Sequence, residues 1–483
     1  MDKLIEYYKQ VQFTLGDSVL EIFYLIASVL FIYGLKMLSH PDTAKKGNLW
    51  AAVGMFIAIV STLFLYRHEG EGIHNLGLIF LAIALGTVTG WIIAKRVKMT
   101  EMPQLVSFFN GMGGAAAALI SLMEFPNIQQ ELIRQHGLFN WQALVIFLGL
   151  IIGSVSFSGS MIAYGKLAGK IRDIRKPILR FINVTLFVGI LAFMLFIMAQ
   201  DPSNLTNLYP LVYVLFGAAL LYGVLFVMPI GGADMPVVIS LLNSFTGVAA
   251  AMGGFLYDNL VMLTGGILVG SAGTILTVLM CNAMNRSLLN VIIGAFSGAG
   301  GEEKKKGNIK EISVTDSAVL LNYSPKVMIV PGYGLAVAKA QMLMRELDKL
   351  LTESNVDVSY AIHPVAGRMP GHMNVLLAEA DVPYDKLIES QEANDQMENV
   401  DVVVVVGAND VVNPAAENDP SSPIAGMPIV QAYKAKNIIV MKRGMGKGYA
   451  AIENNLFFHE KTRMLFGDAK DSLQKIINEI KNL

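Results

Sequence analysis

Cysteine is almost absent from this chain, because Cys281 is the only one among its 483 residues. A single thiol cannot form an internal disulfide, and it cannot supply the several thiolates of a cysteine-based metal cluster. Cys281 lies within an apolar run, where a free cysteine ordinarily serves as a small buried hydrophobic side chain. We therefore predict no disulfide and no bound metal.

An excess of charge of either sign is also lacking. The 37 basic and 38 acidic side chains leave a formal net charge of -1. Because nucleic acids and acidic polymers are bound through a basic excess, we exclude them as partners. The amino-terminal segment contains Asp2, Glu6 and Asp17, and it lacks the basic region and the cleavage site of a secretory signal. We expect its first apolar segment to remain in the mature protein.

Apolar residues, in contrast, make up 54% of the chain, and its mean hydropathy of +0.52 is high for a soluble protein. We find about nine apolar stretches of roughly 20 residues, the length that a helix needs to cross a hydrocarbon core of about 30 Å. Because lipid cannot satisfy backbone hydrogen bonds, each stretch is predicted to be a helix. The predicted helices span 19–38, 48–66, 75–94, 104–123, 141–165, 179–199, 208–228, 235–256 and 260–282.

Basic residues in the short loops predict the orientation of these helices. The loops on the other side contain only Arg67 and Arg134, so the side rich in lysine and arginine is predicted to be cytoplasmic. The amino terminus is then outside, and everything after Asn282 is in the cytoplasm. The basic side collects Lys45, Lys46, Lys95, Arg96, Lys98, Lys166, Lys170, Arg172, Arg175 and Lys176.

The character of the sequence changes after Met284. A glycine-rich and charged stretch predicts a flexible linker over 286–308. Beyond it, β-rich runs at 326–330, 356–362, 400–406 and 437–441 alternate with helical segments at 335–351, 373–380 and 469–482. This order predicts a Rossmann-like α/β domain, in which helices cover both faces of a parallel sheet. We thus predict an extracytoplasmic segment (1–18), a polytopic α-helical membrane bundle (19–285), the linker and a cytoplasmic domain (309–483).

A glycine-containing turn follows the first predicted strand of this domain. Gly332 would permit a tight turn, Gly334 would let the backbone approach a pyrophosphate, and the next helix would offer its amino-terminal N–H groups. Val337 stands where a dinucleotide-binding fingerprint has glycine or alanine. The candidate dinucleotide-binding residues of this turn are Gly332, Tyr333, Gly334, Leu335, Ala336 and Val337.

The charge pattern at the strand ends favours NADP over NAD. A NAD site places a carboxylate near the end of the second strand to hold the ribose 2′-hydroxyl, whereas the second strand here ends in Ile362, His363 and Pro364. A later strand is followed by Lys442 and Arg443, a cationic pair at the edge where α/β sheets bind ligands. A solvated basic turn is the alternative interpretation of this pair.

Other loops of the predicted ligand edge are also candidates. Loops 366–372 and 407–414 follow strand ends, although their Gly, Asn and Asp residues are equally typical of ordinary turns. Segment 417–428 is predicted to be a long surface loop and a lid.

Polar side chains within the predicted membrane helices are few. A central charge in a bilayer costs about 2.5 to 3.5 kcal/mol on insertion scales, so such residues mark functional pathways. The candidates are His40, Asn110, Asp234 and Asn243. An imidazole can pass protons, whereas an asparagine can only lend a hydrogen bond. The alternative interpretations are an interfacial helix end for His40 and a helix N-cap for Asp234.

Long strings of this sequence resemble the β subunit of bacterial proton-translocating transhydrogenase, over nearly the whole chain. The matching strings are Met99-Thr-Glu-Met-Pro103, Gly231-Gly-Ala-Asp-Met-Pro-Val237, Leu242-Asn-Ser244, Met284-Asn-Arg-Ser287, Pro331-Gly-Tyr-Gly334, His363-Pro-Val-Ala-Gly-Arg368, Pro370-Gly-His-Met-Asn-Val-Leu-Leu-Ala-Glu-Ala380, Gly407-Ala-Asn-Asp410, Ser422-Pro-Ile-Ala-Gly-Met-Pro428 and Leu465-Phe-Gly-Asp468. The resemblance implies that the soluble domain binds NADP(H), in an orientation flipped relative to most Rossmann domains. It further implies a partner α subunit that holds NAD(H) and adds membrane helices, an assembly of two αβ protomers in membrane lipid, and a location in the bacterial cytoplasmic membrane.

The resemblance also implies roles for individual residues of the nucleotide site. Gly332 and Gly334 would lie at the pyrophosphate, and Lys442 and Arg443 at the 2′-phosphate. Arg368, Asp410 and Tyr449 would lie near the nucleotide or its lid. The remaining candidates for this site are Val365, Ala366, Gly367, Gly407, Ala408, Asn409, Gly448 and Asp468.

In the membrane domain, Asp234 resembles the aspartate that couples the membrane and nucleotide domains of the family. Members often have a proton-channel histidine at the position of Asn110, and other members with asparagine there have a histidine in the motif Ser39-His40-Pro41. We therefore assign the proton relay to His40, with Asn243 as its polar neighbour.

The predicted function is hydride transfer from NADH to NADP+ coupled to inward proton movement, without a covalent intermediate. One alternative is a channel or transporter whose cytoplasmic domain only senses dinucleotide. Another is a self-sufficient membrane dehydrogenase, which the presence of a single dinucleotide fingerprint disfavours.

Overall fold

The structure is a computed structural model that describes most of the chain. It covers residues 2–39, 41–68, 71–98, 101–135, 141–172, 174, 177–200, 205–231, 234–284, 288, 308–364, 366–367, 371–420, 422, 424–448, 450 and 452–483. His40, Val365, Arg368 and Tyr449 lie outside the described residues, as does most of the predicted linker.

The first part of the chain is helical. Within the described residues, nine helices are long and apolar enough to cross a membrane, which confirms the prediction of a polytopic bundle. The first of them begins at Asp2, so residues that we predicted to precede the membrane are helical too. A two-stranded antiparallel hairpin, β1 (Arg67–His68) and β2 (Glu71–Gly72), connects the second and third helices. The helices are α1 Asp2–Leu38, α2 Pro41–Leu65, α3 Leu76–Arg96, α4 Met102–Gln135, α5 Trp141–Leu167, α6 Pro177–Met198, α7 Leu205–Val227, α8 Met235–Leu256 and α9 Leu260–Ala283.

Helix α5 lies at the centre of the bundle and packs against α4, α7 and α8. Small residues permit the closest of these contacts: a Cβ atom added to Gly153 would lie 2.8 Å from the Gly114 carbonyl oxygen. The contact between α8 and α9 is equally close, since a Cβ atom on Gly247 would lie 2.5 Å from the Gly270 nitrogen. Helix α3, in contrast, contains no buried residue over its fully described length.

The second part of the chain is an α/β domain with a parallel six-stranded sheet in the order β5-β4-β3-β6-β7-β8, the doubly wound arrangement of dinucleotide-binding folds. This confirms the predicted Rossmann-like class. The strands are β3 Lys326–Pro331, β4 Asp357–Ile362, β5 Leu387–Glu389, β6 Val402–Val406, β7 Asn437–Lys442 and β8 Thr462–Phe466. The helices are α10 Val314–Asn322, α11 Tyr333–Val337, α12 Gln341–Glu353, α13 His372–Glu379, α14 Ser390–Gln396, α15 Ala415–Asn418 and α16 Ala469–Asn482.

Each face of this sheet is covered by its own apolar core. On one face, Val402, Val404 and Val406 pack with side chains of α12 and α16. On the other face, Val403 and Val405 belong to a second buried cluster. A run of valines suits β6 because its side chains are buried on both faces of the sheet.

The predicted single helix over 335–351 is wrong. The chain forms the short α11, then turns at Lys339, whose φ of 52° lies in the left-handed region, and starts α12 at Gln341. Strands β5 and β8 were not predicted. Strand β5 has only three residues, and β8 follows the polar segment 459–461 and begins with Thr462 and Arg463, so neither shows a clear apolar run.

Candidate functional site

Strands β3 and β6 lie side by side at the point where the strand order of the sheet reverses. The turns that follow these two strands meet at the carboxyl edge of the sheet. The Gly332 N–H donates to the Val406 carbonyl at 2.8 Å, and the Gly334 N–H donates to the Gly407 carbonyl at 3.0 Å. A Cβ atom on Gly332 would lie 2.4 Å from that Gly407 oxygen, so the turns can meet only without a side chain there. Open α/β sheets bind ligands at this point of reversed strand order.

A cavity of about 720 Å³ opens at this point. Its walls come from the turns after β3, β6, β7 and β8 and from the loop between β4 and α13. Predicted residues that line it are Gly332, Tyr333, Gly334, Val337, Ala366, Gly367, Gly407, Ala408, Asn409, Asp410, Lys442, Arg443, Gly448 and Asp468. The structure therefore gathers into one cavity most of the candidates that are scattered along the sequence.

Two cationic side chains stand on the rim of the cavity, at the end of β7. The Lys442 ammonium lies 4.4 Å from the centroid of the buried Phe457 ring and donates to the Gly446 carbonyl oxygen. Burial lowers the pKa of Lys442, and the nearby Asp410 carboxylate partly offsets this effect. Arg443 is exposed. The pair can bind an anionic group that enters the cavity.

The loop after β7 folds over Asp410. The Ala450 N–H donates to Asp410 Oδ2 at 2.9 Å, and a Cβ atom on Gly448 would lie 2.3 Å from Asp410 Oδ1. Gly448 thus lets the loop close onto the carboxylate. This contact joins the turns after β6 and β7 across the cavity mouth.

Buried polar side chains hold the surrounding loops in place. Asn454 donates to the Asn409 carbonyl at 2.9 Å, and the fully buried Asn413 donates to the Glu453 carbonyl at 3.0 Å.

His363, at the end of β4, forms a 2.7 Å hydrogen bond from Nε2 to the Pro428 carbonyl, at the end of the predicted lid segment. Burial lowers the pKa of His363 and outweighs the hydrogen bond to Pro428, which raises it, so that the pKa is about 4. The ring is therefore neutral near neutral pH, and Nε2–H is the donor.

Some predicted residues do not face the cavity. The side chains of Leu335 and Ala336 point into the core, because α11 packs its apolar face against the sheet. Asp468 lines the cavity, yet its Oδ1 accepts the Lys470 N–H at 3.0 Å and so caps α16. Sequence reasoning missed Gly444, Gly446, Lys447 and Gly467, which also line the cavity. Their signal was present, since glycine-rich turns directly follow β7 and β8.

The membrane bundle contains a buried polar cluster between α4, α5 and α8. Asn110 Nδ2 donates to Ser160 Oγ at 3.0 Å and lies 3.4 Å from Ser156 Oγ. Ser156 Oγ is 2.5 Å from Thr246 Oγ1. Asn110 Oδ1 is buried and finds no hydrogen-bond partner in the part of the chain that the structure describes. Asn110 lies within a membrane helix, as predicted, and the structure adds that its side chain is buried inside the bundle.

The other membrane candidates are placed differently. Asn243 is exposed on the outer surface of α8, so the structure does not bring it to Asn110, and Thr246 occupies the inner position instead. Asp234 is buried, with 6% exposure, at the N-cap position of α8. Its side chain makes no capping hydrogen bond to the helix, although Asp234 occupies the N-cap position and a proline follows in the first turn, as the alternative interpretation expected.

Five residues of the basic side used to predict the orientation lie in helices and not in loops, namely Lys45, Lys46, Lys95, Arg96 and Lys166, and only Lys166 among them is buried. Lys166 lies in the last turn of α5 and is buried, with 9% exposure. Its position shows that a lysine near a predicted helix end can belong to the interior of the bundle. Cys281 is buried as predicted.

Comparison with known proteins matches this chain to one family. The family model described as NAD(P) transhydrogenase beta subunit matches residues 20–479. NAD(P) transhydrogenase subunit beta of Rhodospirillum rubrum is 46% identical over 463 residues, which cover 94% of this chain and 97% of the relative. The subunit beta of a named strain of that species gives the same values. This chain, a multi-pass membrane protein with a Rossmann-like domain, belongs to the NAD(P) transhydrogenase beta subunit family.

Proposed function

We propose that this chain binds NADP(H) and conducts protons, and that it couples hydride transfer between NADH and NADP+ to proton translocation across the bacterial cytoplasmic membrane. The observation that carries this proposal is the cationic pair Lys442 and Arg443 on the rim of the cavity at the switch point of the sheet. The same chain has, within the described residues, nine helices that are long and apolar enough to span a membrane. These helices support a role in proton translocation.

The residues of the cavity fit NADP(H). A volume of about 720 Å³ is in the range of cofactor sites. The turn after β4, at His363 and Pro364, carries no carboxylate that would repel a 2′-phosphate. The glycines of the β3 and β6 turns leave the backbone open to a pyrophosphate. These features support NADP(H) rather than NAD(H) as the dinucleotide held by this chain.

The residues of this chain bind and orient the nucleotide. Lys442 and Arg443 hold the 2′-phosphate by charge-assisted hydrogen bonds. Asp410 ties the glycine-rich loop after β7 to the turn after β6, so opening that contact would open the cavity mouth. When bound, NADP(H) supplies the nicotinamide that accepts or donates the hydride. The NAD(H) that exchanges this hydride is held by the α subunit.

The membrane bundle supplies the proton path in this proposal. In this proposal, protons pass the buried polar cluster of Asn110, Ser156 and Thr246, and Asp234 serves them at the cytoplasmic end of the bundle. The relay residue is His40, with Asn243 on the exposed face of α8 as a further polar group of the path. Coupling requires that each protonation state of this relay favours one state of the nucleotide domain.

The assembly and orientation are part of the proposal. The amino terminus is outside and the nucleotide domain, residues 309–483 after a linker at 286–308, is cytoplasmic. The chain works with an α subunit, as a dimer of αβ protomers. The name of the Rhodospirillum rubrum relative, subunit beta, supports a partner of this kind.

The test uses the chain co-expressed with its α partner in sealed vesicles. Reduction of an NADP+ analogue by NADH is followed with and without an imposed proton gradient. We expect transfer to accelerate with the gradient, and this acceleration to be lost in Asp234→Asn and His40→Ala.

Binding of NADP+ without hydride transfer under any gradient would refute the proposal. It would favour a transporter whose cytoplasmic domain senses dinucleotide. A gradient response that survives in His40→Ala, with Asp234→Asn inactive, would refute only the assignment of the relay residue.

A further inference from the structure

A buried ammonium at the end of α5 contacts the segment that leads from α7 to Asp234. Lys166, in the last turn of α5, is buried beside Ala163 and Leu167, which belong to an apolar cluster formed with α7, α8 and α9. A charged group buried in such surroundings loses its hydration and persists only where protein dipoles replace the water. The side chain is therefore expected to have a specific function.

Two of the dipoles that replace the water come from one short segment. Lys166 Nζ donates to the Met228 carbonyl at 2.6 Å and to the Ile230 carbonyl at 2.8 Å. Both residues follow the carboxyl end of α7, where backbone carbonyls lack helical partners and the helix dipole favours a cation. The Ile174 N–H, from the loop after α5, donates to the same Met228 oxygen at 3.4 Å.

The segment that Lys166 holds leads directly to Asp234. Past Ile230, the Asp234 N–H donates to the Gly231 carbonyl at 3.1 Å, and the Asp234 carbonyl accepts from Val238 in the first turn of α8. The turn between α7 and α8 is thus fixed at one end by the Lys166 ammonium and carries the Asp234 carboxylate at its other end. A shift of either charge would move the same backbone.

The same cluster reaches the exit of the membrane domain. Met280 and Cys281 of α9 are buried in it, and Met284 and Leu288 pack against it. Beyond Leu288 the chain continues toward the nucleotide-binding domain. A displacement of the α7–α8 turn would therefore act on the last turn of α9 through direct packing.

We propose that Lys166 is a positioning residue for coupling: its ammonium fixes the α7–α8 turn, so that a change at Asp234 is transmitted to α9 and the nucleotide domain. This inference rests on the proposed function, because it assigns Lys166 a part in the coupling of proton movement to hydride transfer.

The experiment compares three variants of the complete αβ complex in sealed vesicles. Lys166→Met removes the charge and keeps most of the length of the side chain, Lys166→Arg keeps a cationic donor, and Lys170→Met alters an exposed lysine beyond the end of the same helix. Hydride transfer is measured with and without an imposed proton gradient, together with NADP+ affinity. Alkylation of Cys281 by N-ethylmaleimide, followed by peptide mass, reports on the packing of the cluster.

We expect the gradient to stimulate hydride transfer about tenfold less in Lys166→Met than in the wild type. NADP+ affinity should stay unchanged, and Cys281 should react faster with N-ethylmaleimide. Lys166→Arg should restore the stimulation, which a purely structural loss of packing would not predict, and Lys170→Met should match the wild type. If Lys166→Met does not reach the membrane, Lys166→Gln, which can still donate to one carbonyl, is expected to show the same loss.

The inference is overturned if the neutral variant responds to the gradient as the wild type does, or if Lys166→Arg fails in the same way as the neutral variant. A wild-type complex that shows no gradient response contradicts the proposed function itself. The two failures are therefore distinguishable in one set of vesicles.

Discussion

The membrane bundle and the nucleotide-binding domain distribute their side chains in opposite ways. In the domain, the valines of β6 are buried on both faces of the sheet. In the bundle, large apolar side chains such as Phe64 and Phe181 are exposed to the lipid side, while Asn110, Ser156 and Lys166 are inside. Lipid solvates apolar groups as well as a protein core does, so burial of apolar area stabilises the domain far more than the bundle.

This difference predicts where a single substitution does the most damage. Buried positions of the domain combine apolar burial, satisfied polar groups and tight turns, so their loss costs stability. Polar positions of the bundle contribute little to stability and are expected to matter for coupling.

The largest effect is expected at the meeting point of the β3 and β6 turns. Gly407 has a φ of 69°, and a Cβ atom on it would lie 2.4 Å from Gly334 Cα. Gly407→Ala combines backbone strain with a backbone clash and should destabilise the domain by about 4 kcal/mol. Pulse proteolysis of the full-length protein in urea measures this, together with an expected loss of NADP+ binding.

Gly444→Ala is the matched control, because no atom lies within 4 Å of the added Cβ position. It should leave the stability of the domain nearly unchanged. Equal stability of the two alanine variants would show that the turns do not need to meet without a side chain.

The second largest loss of stability is expected on removal of the buried carboxylate of Asp348. It is fully buried and accepts from Arg345 at 2.8 Å and from Lys386 at 2.5 Å. Asp348→Ala leaves both cations without this partner and should cost about 3 kcal/mol, by the same urea assay. Glu346→Ala, which breaks the exposed pair with Lys481, should cost less than about 1 kcal/mol. Similar losses in the two variants would contradict the role of burial.

Acid should weaken the domain through His363. Its folded-state pKa of about 4 lies below the ordinary 6.5, so the folded protein binds fewer protons than the unfolded chain between these values. Stability should therefore be complete above pH 6.5 and fall by about 2 kcal/mol between pH 7 and pH 5. His363→Gln should lose this pH dependence and keep a donor for the Pro428 carbonyl.

The half-buried His459 provides the control, and His459→Gln should retain the full pH dependence. The urea assay at pH 7 and pH 5 compares the three proteins. A pH dependence that persists in His363→Gln would assign the acid sensitivity to other groups.

Nucleotide selectivity should depend on Lys442 and, more weakly, on Phe457, whose ring contacts the Lys442 ammonium. Lys442→Met should lower NADP+ affinity by about 2 kcal/mol, or about 30-fold, and leave NAD+ affinity unchanged. Phe457→Leu removes the cation–π contact and should cost about 0.5 to 1 kcal/mol of NADP+ affinity. Titration calorimetry with both dinucleotides measures these effects, with Lys475→Met on the exposed side of α16 as the control. An equal loss for NAD+ and NADP+ would contradict a 2′-phosphate contact.

The smallest change in stability is expected in the bundle. Asn110→Leu removes hydrogen bonds to Ser156 and Ser160, yet such bonds in membranes contribute only about 0.6 kcal/mol. Unfolding in detergent mixtures of increasing SDS fraction measures the effect, and the exposed Asn243→Leu is the matched comparison. Proton-coupled turnover should nevertheless fall in Asn110→Leu. A destabilisation as large as that of Asp348→Ala would erase the contrast between the two regions.

Much of the architecture was predictable because it follows from local patterns. An apolar stretch of about 20 residues has few alternatives to a membrane helix. Apolar β-rich runs that alternate with helical segments similarly predict a parallel sheet. The short β5 and the break in helix at Lys339 were not predictable, since a three-residue strand and a single left-handed residue leave little trace in composition.

The sequence alone determined the nine apolar helices found in the described residues, the class of the soluble domain and the chemistry available at its strand ends, since these depend on length, period and residue type. Only the tertiary structure decided which polar groups are inside. A helix in lipid is apolar on all sides, so the sequence did not reveal that Asn110 is buried inside the bundle whereas Asn243 is exposed. It also did not reveal that Lys166 is buried and donates to backbone carbonyls. The contact between Gly332 and Gly407 likewise required the order of strands, because neighbours in a sheet need not be neighbours in the chain.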